Sequence, residues 1–419
     1  MLIMNYRYRI YPDATQQTVL FEWMEISRNA YNYALREIKD WCNSRKCMID
    51  RCSLEQEYIL PADLKFPSEV QQLNALPRAK KEFPRLGEVP SQVLQQAIKQ
   101  LHRAWECFTE RGFGFPRFKK YGQLKSLLFP QFKENPVTGK HLKLPKIGLI
   151  FINLHRPIPD GFDVKQVRIF KKADRWYASV CIQCNVSVPD SKPHGHPVGV
   201  DVGLEKFLAT SDGDLVKPPR FFQTMQSKLK LLQRRLSRKQ KRSKNYEKQR
   251  LKVARMHHTI DNTRKDFHFK QAHALCDTGD MIFMEDLDYS KMAKGMLGKH
   301  MLDAGFGQFR TITKYICWKR GKFFAQVDSR GTSQECPECG AVTKKDLKTR
   351  VHHCLVCGYT TDRDVASGQV IRNRGIASIS TPGLGGTKTA CAVDLPGTKI
   401  SSSRQVTKSR KRKTRNAKL

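Results

Sequence analysis

At 419 residues the chain can bury substantial cores in two or three domains, so disulfides are not needed to hold it together. Lys and Arg number 76 against 39 Asp and Glu, and a formal charge of +37 calls for a large polyanionic partner, which predicts nucleic acid and no small-molecule substrate. A membrane-surface role is the competing reading, but there is neither an apolar run of about 18 residues nor a long basic helix with a fully apolar face.

Met1 to Met4 is too short an apolar stretch for a signal peptide, and a cytoplasmic location is expected. The 13 cysteines, odd in number and unevenly spaced, agree with a reducing compartment. Residues 5 to 10 alternate, putting Tyr6, Tyr8 and Ile10 on one face of a strand and Arg7 and Arg9 on the other, where they are free to meet phosphate. Asp13 and Gln16 read as a capping box opening a helix through Leu20, Trp23, Ser27, Tyr31 and Ala34. A second helix is expected over 92–108, with Leu94, Ala97, Leu101, Ala104 and Phe108 as an ordinary core stripe.

Gly114 to Lys120 interleaves aromatic and basic residues, so Arg117 and Lys119 belong either to a loop gripping nucleic acid or to a plain basic turn. A pair of strands follows over 167–184, and the Pro, His and Gly-rich stretch 189–197 marks the main domain boundary. Residues 198–203 and 206–210 bracket a hairpin, with Asp212-Gly213 as the next turn. A single helix is expected over 225–255, with Met225, Leu229, Leu232 and Leu236 on one face. Between Lys228 and Arg255 lie thirteen Lys or Arg and one acid, Glu247, so Arg234, Arg235, Arg238, Lys239 and Lys241 are candidate phosphate contacts.

Cys336-x-x-Cys339 and Cys354-x-x-Cys357 stand fourteen residues apart, with Gly340 and Gly358 directly after each pair. Two such knuckles hold four thiolates about 2.3 Å from a zinc ion, and a closed sulfur set makes the metal structural. Cys181 and Cys184 have the same internal spacing, but they lie in an alternating strand where positions three apart face opposite ways, so they are read as packing.

Two-metal phosphodiester cleavage needs carboxylates from separate elements converging on cations about 4 Å apart. Asp201, in a strand between Gly199 and Gly203, fits, the glycines leaving room for ions and phosphate. Glu285 closes the apolar run 281–284, where a charge is costly unless it is paired or metal-bound. The third carboxylate comes after the cysteine cluster, where Asp362 and Asp364 are interchangeable on the residues alone. Arg404 to Leu419 carries eight basic residues and no acid, and with the Ser, Thr and Gly-rich stretch from Ser378 it reads as a disordered tail.

Gly-Val-Asp-Val-Gly at 199–203, Met-Glu-Asp-Leu at 284–287, Thr-Ser-Gln-Glu-Cys-Pro-Glu-Cys-Gly at 332–340 and Cys-Gly-Tyr-x-x-Asp-Arg-Asp at 357–364 together resemble the TnpB family, transposon-encoded proteins related to type V CRISPR effectors. Tyr11-Pro12, Gln16, Arg28, Asn32, residues 114–119, 144–148 and 155–157 extend the likeness over the N-terminal half. The resemblance implies an α+β multidomain fold: a wedge and helical recognition region over 1–195, then an RNase H-like RuvC domain over 196–328 and 362–377, interrupted by a zinc ribbon over 329–361 and followed by the tail over 378–419. It implies Asp201, Glu285 and Asp364 as magnesium ligands, a guide RNA from the transposon end and a double-stranded DNA target. The expected activity is RNA-guided DNA cleavage, with a non-cutting repressor or a transposase as alternatives. The sequence departs from the family at Ala366-Ser367-Gly368 and Val370, where Asn-Ala-Ala and a later Asn are usual, and at His268, displaced by one.

Overall fold

The computed structural model describes residues 1–45, 60–61, 63–219, 221–343, 346 and 349–380. The chain opens with β1 (Leu2–Tyr11) and the long helix α1 (Ala14–Ser44), followed by α2 (Glu69–Glu82), α3 (Arg85–Glu88) and α4 (Ser91–Arg111). Six strands complete the first half: β2 (Ser126–Phe129), β3 (Val137–Thr138), β4 (His141–Leu144), β5 (Gly148–Asn153), β6 (Asp163–Lys172) and β7 (Arg175–Cys184). With β1 they form one antiparallel sheet of order β2-β6-β7-β1-β5-β4-β3.

Local signals explain how this half begins. Asp13 accepts from the Gln16 amide while the Gln16 side chain accepts from the Asp13 amide, so two otherwise unpaired groups start α1. Tyr6, Tyr8 and Ile10 are buried against α1 and α4, and Arg7 and Arg9 lie on the other face, as the alternation predicts. Cys181 and Cys184 sit in β7 opposite Asn5 and Leu2 of β1.

A second hydrophobic core begins at β8 (Pro197–Asp201), after the irregular stretch 185–196. The hairpin strands β9 (Leu208–Thr210) and β10 (Leu215–Val216) follow, then the helices α5 (Phe221–Ser237) and α6 (Lys244–Thr278). Next come β11 (Met281–Glu285), the helices α7 (Tyr289–Met292), α8 (Gly298–Ala304) and α9 (Phe306–Lys319), and β12 (Phe323–Val327). The second sheet has the order β10-β9-β8-β11-β12, its first three strands antiparallel and β8, β11 and β12 parallel. The short hairpin β13 (Val351–His353) and β14 (Thr360–Asp362) then leads into α10 (Arg363–Ser380), which lies across β8.

Three expectations need correction. The single helix over 225–255 is two helices in a hairpin: Arg242 adopts a φ of 71° and the Ser243 hydroxyl accepts from the Tyr246 amide, so a new helix starts there. The Gln249 side chain donates back to the Leu232 carbonyl at 3.0 Å and ties the pair. Ser378 begins no tail, because α10 runs through Ser380; the remainder of the proposed tail, 381–419 with its basic cluster, lies outside the described residues.

The third concerns Gly199, whose missing side chain makes room for a helix rather than for ions. A Cβ there would stand 2.0 Å from the Gly368 carbonyl oxygen and 2.5 Å from the Arg372 amide, so only glycine lets α10 lie this close to β8. Gly368, one of the departures from the family pattern, is the other half of that contact. A Cβ on it would come within 2.9 Å of the Ser211 amide.

Candidate active site and metal centre

Parallel pairing of β8 with β11 sets Val200 opposite Met284, so Asp201 and Glu285 end neighbouring strands at the same edge. Asp364 arrives from the first turn of α10, which crosses that sheet. Burial, then Glu285, then Asp364 push the Asp201 carboxyl up to about 8. Burial also raises Glu285, against the Thr332 hydroxyl that donates to it and the nearby Arg374 guanidinium.

Asp362 lies in a different setting from Asp364. Although burial works the other way, the Lys206 ammonium and the Asp364 amide hold its carboxyl below the ordinary range. Lys206 pairs directly with Asp362 and stands 3.7 Å from Asp364. The carboxylate whose charge reaches Asp201 is therefore that of Asp364, while that of Asp362 is bound to a lysine. Among the described residues, the group of side chains gathered at metal-binding spacing is the four cysteines, not these carboxylates. The donor set, all hard oxygens at one strand edge, suits magnesium.

Sequence reasoning passed over four neighbours of this site. Thr332 holds Glu285, Lys206 holds Asp362, and Arg374 pairs with Glu335 while facing Glu285. The Tyr289 hydroxyl is buried without a hydrogen-bond partner among the described residues, and burial is the main cause that raises its phenol to about 12. Arg310 opposes the shift, and Glu285, Asp201 and Asp286 add to it. Thr332 and Glu335 sit inside a quoted motif, but nothing in their spacing showed which way they point.

The four cysteine sulfurs do converge, with all Sγ atoms within 4.8 Å of one another. Cys336 and Cys357 are 3.6 Å apart and Cys339 and Cys354 are 3.5 Å apart, close to the edge of a tetrahedron with bonds of about 2.3 Å. Gly340 and Gly358 both have a φ of 74°, the left-handed turn expected after each knuckle. Backbone amides of Cys357 and Val356 point at the Cys354 sulfur and pull its thiol down to about 6. The residues fit a structural zinc. Asn373 of α10 donates to the Pro337 carbonyl at 2.8 Å, and Arg374 pairs with Glu335, so this knuckle is fastened to the helix that carries Asp364.

The basic candidates divide into two groups. Arg234, Arg235, Arg238, Lys239 and Lys241 are all exposed at the end of α5 and in the turn after it, and none joins an ion pair among the described residues. Arg117 is also exposed. Arg7 lies over the Phe170 ring at 5.5 Å and Arg9 over Tyr11 at 4.8 Å, on the sheet face opposite the core. Lys119 turns inward: its ammonium is 3.7 Å from the Tyr31 ring centroid and 3.1 Å from Gln100, and burial lowers it to about 8. Its backbone is gripped by Asn32, which donates to the Lys119 carbonyl and accepts from its amide. Further along, α6 meets the outer face of the first sheet through Arg255–Asp174 and Lys172–Asp261 ion pairs.

Three family models match the chain: "Probable transposase" over 179–296, "Cas12f1-like, TNB domain" over 306–371 and "Helix-turn-helix domain" over 1–47. The last description departs from what is seen, since the described part of that segment is a strand and one uninterrupted helix. The chain is 35% identical over 313 residues to the Escherichia coli (strain K12) protein "Putative RNA-guided DNA endonuclease InsQ", covering 70% of this chain and 77% of that one. It is 29% identical over 383 residues to "Putative RNA-guided DNA endonuclease" of Streptomyces pristinaespiralis, covering 89% of each. The protein in "Cryo-EM structure of the Cas12f1-sgRNA-target DNA complex" aligns over 90% of this chain and 100% of its own at 15% identity and a TM-score of 0.33, a likeness too weak to argue from. No described helix is long and apolar enough to cross a membrane.

Proposed function

The chain belongs to the TnpB/OrfB family of IS605-type elements, and from that membership we propose that it is a magnesium-dependent, RNA-guided endonuclease acting on double-stranded DNA. Two relatives carry the name RNA-guided DNA endonuclease, which supports the same activity here. In this reading residues 1–195 form the wedge and helical recognition region that meets guide RNA and target, and 196–328 with 362–377 form an RNase H-like RuvC domain. The order β10-β9-β8-β11-β12, three strands antiparallel and three parallel around β8, supports that reading, as does the position of the knuckle between β12 and α10.

Asp201, Glu285 and Asp364 would hold magnesium, and Cys336, Cys339, Cys354 and Cys357 zinc. When bound, magnesium would activate water and stabilise the leaving oxygen, giving 5′-phosphate and 3′-hydroxyl ends. The protein's own part is positioning. Thr332 orients the Glu285 carboxylate, and Lys206 keeps Asp362 out of competition for the ion. Arg7, Arg9, Arg117 and the basic turn from Arg234 to Lys241 would grip nucleic-acid backbones by charge, base pairing with the guide supplying specificity. Work in the cytoplasm fits this chemistry.

The observation that carries the proposal is that Asp201 and Glu285 end neighbouring strands in register while Asp364 opens the helix laid across them, three acids remote along the chain. The test is to co-purify the protein with its RNA, sequence that RNA and offer matching DNA with magnesium or with EDTA. Cleavage that needs both RNA and magnesium and is abolished by Asp201→Ala supports the reading. RNA-dependent binding without cutting, or strand joining, overturns it.

A further inference from the structure

Tyr289 begins α7, four residues beyond Glu285, and its ring is held on three sides. Phe306 lies against it with ring centroids 6.1 Å apart, and the Arg310 guanidinium stands 4.9 Å from the ring centroid. Gly307 comes so near that a Cβ on it would lie 3.4 Å from the ring edge. Arg310 is itself tied down by Asp286 and by the Leu287 carbonyl. The ring therefore has little freedom, yet the hydroxyl it carries is cut off from solvent and has no hydrogen-bond partner among the described residues. Folded proteins keep few such groups, and one beside a candidate active site calls for an explanation in function.

Tyr289 packs against the core that holds Val200 and Met284, the residues just before Asp201 and Glu285, and this indicates where the partner arrives. Burial, opposed by Arg310 and helped by Glu285, Asp201 and Asp286, keeps the phenol protonated at any physiological pH, so it is a donor and not a base. The carboxylates beside it accept protons and hydrogen bonds but cannot hold an anionic phosphate by themselves. A neutral O–H in that position adds a donor where charge repulsion is otherwise greatest.

We propose that Tyr289 is a positioning residue whose hydroxyl donates a hydrogen bond to an oxygen brought to the carboxylate site with the divalent ion, either the ion's own water or the scissile phosphate. This rests on the nuclease reading above, and the test separates the two. The full chain with its co-purified RNA, as wild type and as Tyr289→Phe, is followed by thermal unfolding in EDTA and through a magnesium titration, with and without matching duplex. In EDTA the variant should unfold at or above the wild-type temperature, since only an unpaired group has been removed.

If the ion's water is the acceptor, the magnesium midpoint should rise about tenfold in the variant without DNA, the size expected for one charge-assisted hydrogen bond. If the phosphate is the acceptor, the midpoint without DNA stays put. In that case the single-turnover cleavage rate falls about tenfold at unchanged duplex affinity. Equal midpoints and equal cleavage rates overturn the proposal, as does a variant that is less stable in EDTA. A wild type that cuts no duplex sinks the nuclease reading, and the magnesium titrations then decide on Tyr289 alone: equal midpoints, with and without duplex, overturn it.

Discussion

Gly199 and Gly368 face each other where α10 crosses β8, so close that a methyl group on Gly199 would stand 2.0 Å from the Gly368 carbonyl oxygen. That contact sets the helix bearing Asp364 beside the strand bearing Asp201. Gly199→Ala should therefore push the helix away, cost about 1–3 kcal/mol in thermal or urea unfolding, and lower cleavage well beyond what the stability loss explains. An alanine variant with wild-type stability and activity would show that the contact is slack.

Neutralising Asp201 should stabilise the metal-free protein while abolishing cleavage. Its native carboxyl titrates near 8 against about 3.9 in an unfolded chain, so the folded state binds the proton more tightly and loses stability as pH rises through that window. Asp201→Asn removes this loss. In EDTA its melting temperature should match the wild type near pH 4 and exceed it by several degrees above pH 8. A gain at acid pH, or none at alkaline pH, would contradict the coupling.

Thr332→Val keeps the shape of the side chain and removes the donor to Glu285. The Glu285 carboxyl, already raised by burial, should rise further, because the hydrogen bond was lowering it. The acidic limb of the pH–rate profile should move to higher pH, and the rate near neutrality should fall about tenfold. An unmoved limb would leave Thr332 without a role in ionising Glu285.

One zinc per chain is expected, measured by metal analysis of the purified protein, and Cys354→Ser should lose it. The knuckle should then come loose from α10, where Asn373 and Arg374 fasten it, lowering stability by several kcal/mol with no rescue by magnesium. Retention of a full zinc equivalent in the serine variant would contradict the four-sulfur site.

Replacing Arg234, Arg235, Arg238, Lys239 and Lys241 by glutamine should weaken nucleic-acid binding and flatten its dependence on salt by about 0.7 to 0.9 in log–log slope for each phosphate no longer neutralised. Lys119→Met should leave that slope unchanged and keep or raise the melting temperature at neutral pH, because burial against Tyr31 and Gln100 makes the ammonium costly. The reverse pattern would mean that Lys119 swings outward to nucleic acid.

Features written within a few residues of one another were legible in the sequence. The two cysteine knuckles depend on i, i+3 spacing and a following glycine, the Asp13–Gln16 cap on one helical turn, and the β1 face on simple alternation. The end of the first basic helix was equally local, and Ser243 as a cap was the signal that the run of lysines and arginines hid. What required the tertiary structure were relations between distant segments. Asp362 and Asp364 look alike in the chain and differ because Lys206, some 156 residues from Asp362, bonds to the first and only approaches the second at 3.7 Å. Gly199 reads as room for ions until α10 is seen to fill it, and Lys119 reads as a phosphate contact until Tyr31 is found beneath its ammonium. Spacing along a chain constrains direction only over a turn or a strand. Which side chain meets which across the fold is decided by packing, and packing is a property of the whole.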